Sequence, residues 1–400
     1  MANRRRSIFL GASVAALIAI PVIAQQRGPT TGPVARYDMR AGTLSGFAAM
    51  GGGGSALSMA FGGGGNKLAK ELYLRLGSSD LPAKGGPKAD HFMPAGAKLG
   101  KSVALMTPKE ERGGTDELPQ KPKGRILVFW GCGEHAPKGQ PVVIDLARIA
   151  AGQMPPGLWT STIIRDWGPT LQNSKTFARW PSEDRKFVKS DSSLIGAHRV
   201  AGNYSPEITF SLAKDFMAPL QSTATEQASG SSLVRWNAVP DATGYLAFQF
   251  GGKMTPNGEM GDMVMWTSSA SRQFGGGLSD WLSPAQVAGL VRDRTVLAPA
   301  VTQCTIPAEV RAAGPDFRMG MLTAFGPEEN FAYPARPADP KAAWNLQWTA
   351  RVRHRSMTGW MDMPGMSQMG QQQQEPGEQP KCKKKGGFGG IVKGVLGKDC

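Results

Sequence analysis

Histidine and cysteine are scarce, with four of each among 400 residues. His91, His135, His198 and His354 are scattered, and Cys132 with His135 forms a pair at metal-ligand spacing with no second Cys/His pair to complete it. A structural zinc site needs four ligands and a catalytic one three from the protein, so neither a metal nor another cofactor is expected. A nucleophile-elbow serine, a zinc-protease histidine pair and a calcium loop are all missing. Their absence removes the positive evidence for an enzyme without excluding one. Long helical patterns are few. Glycine (52) and proline (30) are abundant instead, and that mix favours an all-β architecture with many turns.

Acids are the minority charge, 31 against 46 lysines and arginines, giving a formal charge of +15. Such a balance suits anionic partners: lipid head groups, acidic polysaccharide or free nucleic acid bound without sequence preference. The first 24 residues have the three parts of a secretory signal. Arg4, Arg5 and Arg6 form the basic segment, Ile8 to Ile23 the apolar one, and Val22-Ile23-Ala24 the cleavage site before Gln25. Export to a bacterial periplasm, outer-membrane surface or exterior is therefore expected. The oxidising compartment makes the cysteines disulfide candidates. Three connectivities are open; Cys382 with Cys400 closes a short loop, which leaves Cys132 to pair with Cys304.

Two stretches imitate nucleotide sites. Ala95 to Ser102 (AGAKLGKS) matches a permissive phosphate loop, but Pro94 and Pro108 flank it where a strand and a helix are required. Gly131-Cys132-Gly133-Glu134-His135 follows a strand as a dinucleotide loop would, but Pro137, Gly139 and Pro141 forbid the helix that should follow. Both are expected to be plain loops, and no ATP is expected as a partner.

Period-2 alternation marks the strands. Glu71–Leu76, Ser102–Met106, Gly124–Trp130, Pro141–Leu146 and Pro206–Leu212 read as strands of a first domain, residues 34–214. Its stretch from Val34 to Asn66 holds two tetraglycine runs and is expected to be a long flexible loop. Residues 25–33 form a flexible leader, and Ser222 to Ser232 reads as a polar linker. Met263–Thr267 and Met319–Phe325 are strands of a second domain, residues 215–356. Between them Ser283, Pro284 and Gln286 announce a helix with a capping box.

The most informative stretch is Ser231 to Phe250 (SSLVRWNAVPDATGYLAFQF). Two alternating runs flank the turn residues Pro240, Asp241 and Gly244. With Trp236 ending one run and Tyr245 following Ala242-Thr243-Gly244, the segment resembles strands B and C of fibronectin type III-like domains. The resemblance implies an immunoglobulin-like β-sandwich over about residues 216–337, and it carries no function of its own. The expected fold is all-β: two immunoglobulin-like β-sandwich domains with a Gly-rich loop and a disordered C-terminal tail.

Gln347 to Ser356 sets Trp348, Ala350, Val352 and His354 against Arg351, Arg353 and Arg355. Three arginines on one face read either as an edge strand protected from aggregation or as an anion-binding rib. From residue 357 onward a Met- and Gln-rich segment leads into Lys381, Lys383, Lys384 and Lys385 and a Gly-spaced apolar end. That composition predicts disorder in water, with the alternative of a basic segment lying on a membrane surface. The expected function is non-catalytic: an exported cell-envelope binding or scaffolding protein whose arginines and lysines contact an anionic lipid or polysaccharide surface. Two alternatives stand beside it, a periplasmic hydrolase or carbohydrate-processing protein with a site between the sandwiches, and a self-associating surface subunit.

Overall fold

The structure, a computed structural model, describes residues 30–50, 67–108, 124–153, 164, 166, 168–182, 187–256, 260–273, 277–278 and 280–362. The protein is all-β. In chain order the strands begin with β1 (Thr30–Thr31), β2 (Ala35–Gly46), β3 (Leu68–Ser78), β4 (Ala89–Phe92), β5 (Val103–Leu105), β6 (Arg125–Trp130) and β7 (Val142–Asp145). Next come β8 (Thr176–Trp180), β9 (Phe187–Val188), β10 (Gly196–Gly202), β11 (Ile208–Leu212), β12 (Ser222–Glu226) and β13 (Ser232–Trp236). The last six are β14 (Gly244–Met254), β15 (Met260–Thr267), β16 (Gln303–Ile306), β17 (Phe317–Tyr333), β18 (Trp344–Asn345) and β19 (Trp348–Asp362).

One ten-stranded sheet organises these elements. Its order is β7-β6-β15-β14-β17-β19-β2-β3-β8, with β9 also paired to β3. Two smaller sheets, β11-β10-β4-β5 and β12-β13-β16, cover it. The first packs against the β19-β2-β3-β8 end around Tyr37, Met39, Leu72, Leu74, Leu76, Val200, Ile208 and Trp348. The second packs against the β6-β15-β14-β17 end around Val234, Trp236, Tyr245, Val264, Trp266, Ile306 and Leu322. Residues directly opposite in adjacent strands share a face. Ser356 pairs with Ala324 on the same side as Val352, so both small sheets lie on one face of the large one. The other face carries the helix Pro284–Arg292, packed on Leu246 and Phe325, and a layer of arginines and carboxylates. Burying an aromatic such as Trp266, which is fully enclosed, stabilises a core by about 1.5–3 kcal/mol.

The long β17–β19 hairpin joins the two ends. Leu322 and Ala324 sit in one core, while Phe331 and Ala350 sit in the other. β19 then runs parallel to β2 over twelve paired residues. The large sheet therefore continues across the boundary expected between residues 214 and 215. β6 and β7, expected in the first domain, pair instead with β15 of the second half. Parallel pairing needs a long crossover, and local periodicity carries no information about such partners.

Several boundaries need correction. Ala35–Gly46, expected within a flexible loop, is β2 at the middle of the large sheet. Its alternation of Tyr37, Met39 and Ala41 with Asp38 and Arg40 is the period-2 signal that the nearby glycines obscured. The tetraglycine runs themselves lie outside the described residues. Ser222–Glu226, expected as a linker, is β12 on the margin of a three-stranded sheet. Residues 357–362, expected within a disordered tail, belong to β19, and Met357 is buried; the rest of that expected tail lies outside the described residues. The helix after Ser283 forms as expected, with Ser283 Oγ accepting from Gln286 N and Gln286 Oε1 accepting from Ser283 N.

Candidate functional site

The arginine-bearing face of the large sheet is the densest polar site among the described residues. Alternation along three neighbouring strands creates it. β2 contributes Arg36, Asp38 and Arg40, β3 contributes Glu71, Tyr73 and Arg75, and β19 contributes Arg351, Arg353 and Arg355. Register sets them in rows: Arg351 opposite Asp38 and Asp38 opposite Arg75, then Arg353 opposite Arg40. Asp166, Asp280 and Trp281 approach from the segments that cover this face.

Asp38 is the centre, with 1 % of its surface exposed. It receives Arg75 Nη2 at 2.6 Å, Arg351 Nη2 at 2.8 Å, Arg40 Nε at 2.9 Å and Arg353 Nη2 at 3.0 Å. Burial alone would raise its carboxyl, but Arg40, Arg353, Arg75 and Arg351 outweigh it and hold the group well below the usual range. Asp166 behaves alike. Arg40 pairs with it, Arg75 Nη2 lies at 2.7 Å, and Gly168 N donates at 3.0 Å. Again burial is overcome, and the carboxyl is depressed. Carboxyls lowered in this way do not match the proton donor of a carboxylate pair, which needs a raised value.

The next row is a second cluster. Arg355 Nη2 meets Glu71 Oε1 at 2.7 Å, Tyr73 donates to Glu71 Oε2 at 3.1 Å, and the Arg355 guanidinium lies 3.9 Å over the Trp281 ring. Gly42 makes this possible, since a Cβ there would meet Glu71 Oε1 at 2.5 Å and Cγ at 2.6 Å.

These distances correct two expectations. β19 is not an edge strand, because β17 and β2 flank it. Nor do Arg353 and Arg355 form an open basic rib, since Asp38 and Glu71 neutralise them inside the protein. Arg351 is the most open of the three, with 23 % of its side chain exposed. The arginine alternation was legible in the sequence; the partnering acids, far away along the chain, were not. Lys381, Lys383, Lys384, Lys385, Cys382 and Cys400 lie outside the described residues.

At the Arg351 end the face opens into a cleft of about 440 Å³ lined by Arg36, Arg351, Asn330, Phe331, Trp344 and Gly168, among others. Arg36 donates to Asn173 O at 2.7 Å and Asn173 Oδ1 at 2.8 Å, and among the described residues it pairs with no carboxylate. The Trp344 ring carries the Arg336 guanidinium at 4.9 Å.

A separate polar chain crosses the first core. Tyr37 Oη lies 2.6 Å from His91 Nδ1, His91 Nε2 lies 3.0 Å from His198 Nδ1, and His198 Nε2 lies 2.7 Å from Leu194 O. The terminal carbonyl can only accept, so His198 Nε2 donates to Leu194 O; with both rings neutral, His91 then donates to His198 and Tyr37 to His91. Burial, with His198 adding to it, pushes His91 well below its ordinary value, and burial likewise lowers His198. Sequence spacing gave no sign that these two histidines meet. His135 instead contacts Glu309 at 3.1 Å on the surface, and His354 lies 3.7 Å from Glu329.

The loop that imitates a dinucleotide site holds Cys132, bonded to Cys304 across 172 residues with a Cα–Cα distance of 5.2 Å. The phosphate-loop imitation ends in strand β5 rather than a helix. Among the described residues no group of three or more His, Cys, Asp and Glu could hold a metal ion. No family model, no curated protein and no solved structure matches the chain.

Proposed function

We propose that the protein is an exported cell-envelope binding protein that engages an anionic surface. The observation that carries this reading is the cleft at the Arg351 end of the sheet. There the half-buried Arg36 and Arg351 line a recess in which the only acid among the lining residues, Asp38, is buried against Arg351. Cations in a recess with low-dielectric walls concentrate field toward an incoming anion. The lysines near the end of the chain, Lys381, Lys383, Lys384 and Lys385, add charge of the same sign.

The Cys132–Cys304 bond supports an oxidising destination. The arrangement of β12-β13-β16 over β15-β14-β17-β19 supports a fibronectin type III-like reading of the second half. There Trp236 and Tyr245, on facing sheets, pack with ring centroids 5.6 Å apart. Such a frame displays binding surfaces without dictating chemistry.

The test is co-sedimentation of the chain from Gln25 to Cys400 with anionic and with neutral vesicles and polysaccharide particles, beside a chain ending at Asp362. Selective pelleting with an anionic phase, lost at high salt, is the expected result. Equal pelleting with neutral particles would remove the reading.

A second reading is self-association. β7 bounds the large sheet among the described residues, and Val143 on it is 45 % exposed. An open margin of this kind can accept another strand. A sedimentation coefficient independent of concentration would exclude it.

A further inference from the structure

Resting on that reading, we propose that the cleft between Arg36, Arg351, Asn330 and Trp344 is a binding subsite for one acidic sugar unit, a hexuronate within a polysaccharide chain. Three features point to a sugar rather than a lipid head group.

The first is depth. Arg351 has 23 % of its side chain exposed and lies beside Asp38 and Asp166 on the sheet floor. A lipid head group reaches a recess only by rising out of the plane of the bilayer. A polysaccharide can insert a single ring, and a cleft of about 440 Å³ accommodates a pyranose with its substituents.

The second is the pairing of groups. Guanidinium N–H groups not already bonded to Asn173, Asp38 or Asp166 can donate charge-assisted hydrogen bonds to a carboxylate. Arg36 is held in place by two bonds from Nη2 to Asn173, and Arg351 by Asp38. Both are therefore oriented before a ligand arrives, which lowers the ordering cost of binding. Asn330, on the same face as Arg351 by register, brings an amide suited to ring hydroxyls.

The third is Trp344. Its indole lines the cleft, and its Nε1 is fixed on Pro334 O at 3.0 Å. With the Arg336 guanidinium over one side of the ring, the opposite side is left as an apolar plane for the C–H face of a sugar ring. A bare phosphate would have no use for this wall.

The experiment is isothermal titration calorimetry of the chain from Gln25 to Cys400 with an α-1,4-linked galacturonate trimer, the neutral galactose trimer and inorganic phosphate. The acidic trimer should bind, and the neutral trimer and phosphate should bind at least about 10-fold more weakly, a difference of about 1.4 kcal/mol. Arg36→Gln and Trp344→Ala should each weaken the acidic trimer about 10-fold or more, while Arg36→Lys recovers part of the loss. Circular dichroism melts check that each variant is folded. Phosphate binding as tightly as the trimer would overturn the sugar assignment. Unchanged trimer binding in folded Arg36→Gln and Trp344→Ala would overturn the cleft. If the full chain still pelleted with acidic particles in that case, the surface-binding reading would survive and only this subsite would fall.

Discussion

Replacing Asp38 with asparagine removes one negative charge and little volume from the middle of the arginine layer. Asp38 is 1 % exposed and bonds to Arg40, Arg75, Arg351 and Arg353, so water cannot replace it. Removing one partner from a buried ion-pair cluster costs about 3–5 kcal/mol, mostly because the remaining charges stay buried without compensation. Asp166 shares the same four arginines and offsets part of the loss, which sets the expectation near the lower end. In urea unfolding at pH 7 followed by circular dichroism, Asp38→Asn should lose about 3 kcal/mol, equivalent to a melting shift of about 4 °C for a chain of this size. The double variant Asp38→Asn/Arg353→Met should lose less than the two single variants added together, since it deletes a cation along with its anion. The pH profile supplies a second readout. Asp38 and Asp166 have folded values depressed below the unfolded one, so their contribution is present above about pH 4 and is lost as pH falls further. Asp38→Asn should flatten that acid limb. A loss under about 1 kcal/mol, with the acid limb unchanged, would refute the view that this cluster stabilises the sheet.

Other consequences are simpler to measure. His91 and His198 are neutral in the fold with lowered values, so their contribution is full above about pH 6.5 and is lost as pH falls, by up to about 1.4 kcal/mol per pH unit for each proton taken up. Unfolding free energy flat between pH 7 and 5 would contradict the Tyr37–His91–His198 chain. Reduction of Cys132–Cys304, or Cys132→Ser with Cys304→Ser, opens a loop of 172 residues and should destabilise by about 2–5 kcal/mol in the same urea assay. Gly42→Ala should displace Glu71 from Arg355, costing about 1–3 kcal/mol, while an alanine at the open Gly85 cannot serve as a control because φ there is +70°. Ser283→Ala should cost about 1 kcal/mol through loss of the helix cap.

Local signals in this chain were readable and distant ones were not. The runs at Glu71–Leu76 and Met319–Phe325 fall inside strands, and Gly124–Trp130 overlaps β6 in all but its first residue, because a half-buried strand writes its own alternation. The Ser283 cap likewise needs only its neighbours. Trp236 ends β13 and Tyr245 is the second residue of β14, so the two strands joined by a turn that the stretch from Ser231 suggests are present. Glycine content near residue 51 drew attention away from Ala35–Gly46, whose three inward side chains carry the real pattern. The parallel pairings, β6 with β15 and β2 with β19, join residues more than a hundred positions apart, and no short window contains both partners.

The site divided in the same way. Arg351, Arg353 and Arg355 stood out as alternating charges, yet their meaning depended on whether acids lay opposite. Asp38 and Glu71 are isolated in sequence and look like ordinary solvated residues there. Only the sheet register turns them into counter-ions, changing a basic surface into an internally neutralised layer with one open end. The Cys132–Cys304 bond is the pairing that remains when Cys382 is set beside Cys400, two residues that lie outside the described ones.

The proposed role is binding of an anionic envelope polymer by charge. It is tested most directly by retention of the chain from Gln25 to Cys400 on immobilised polygalacturonate and on a neutral galactan as sodium chloride is raised. The account predicts delay on the acidic matrix at low salt, release as the salt rises toward about 1 M, where the screening length falls to about 3 Å, and free passage through the neutral one. Passage through both without delay, or equal delay on both at every salt concentration, would contradict it.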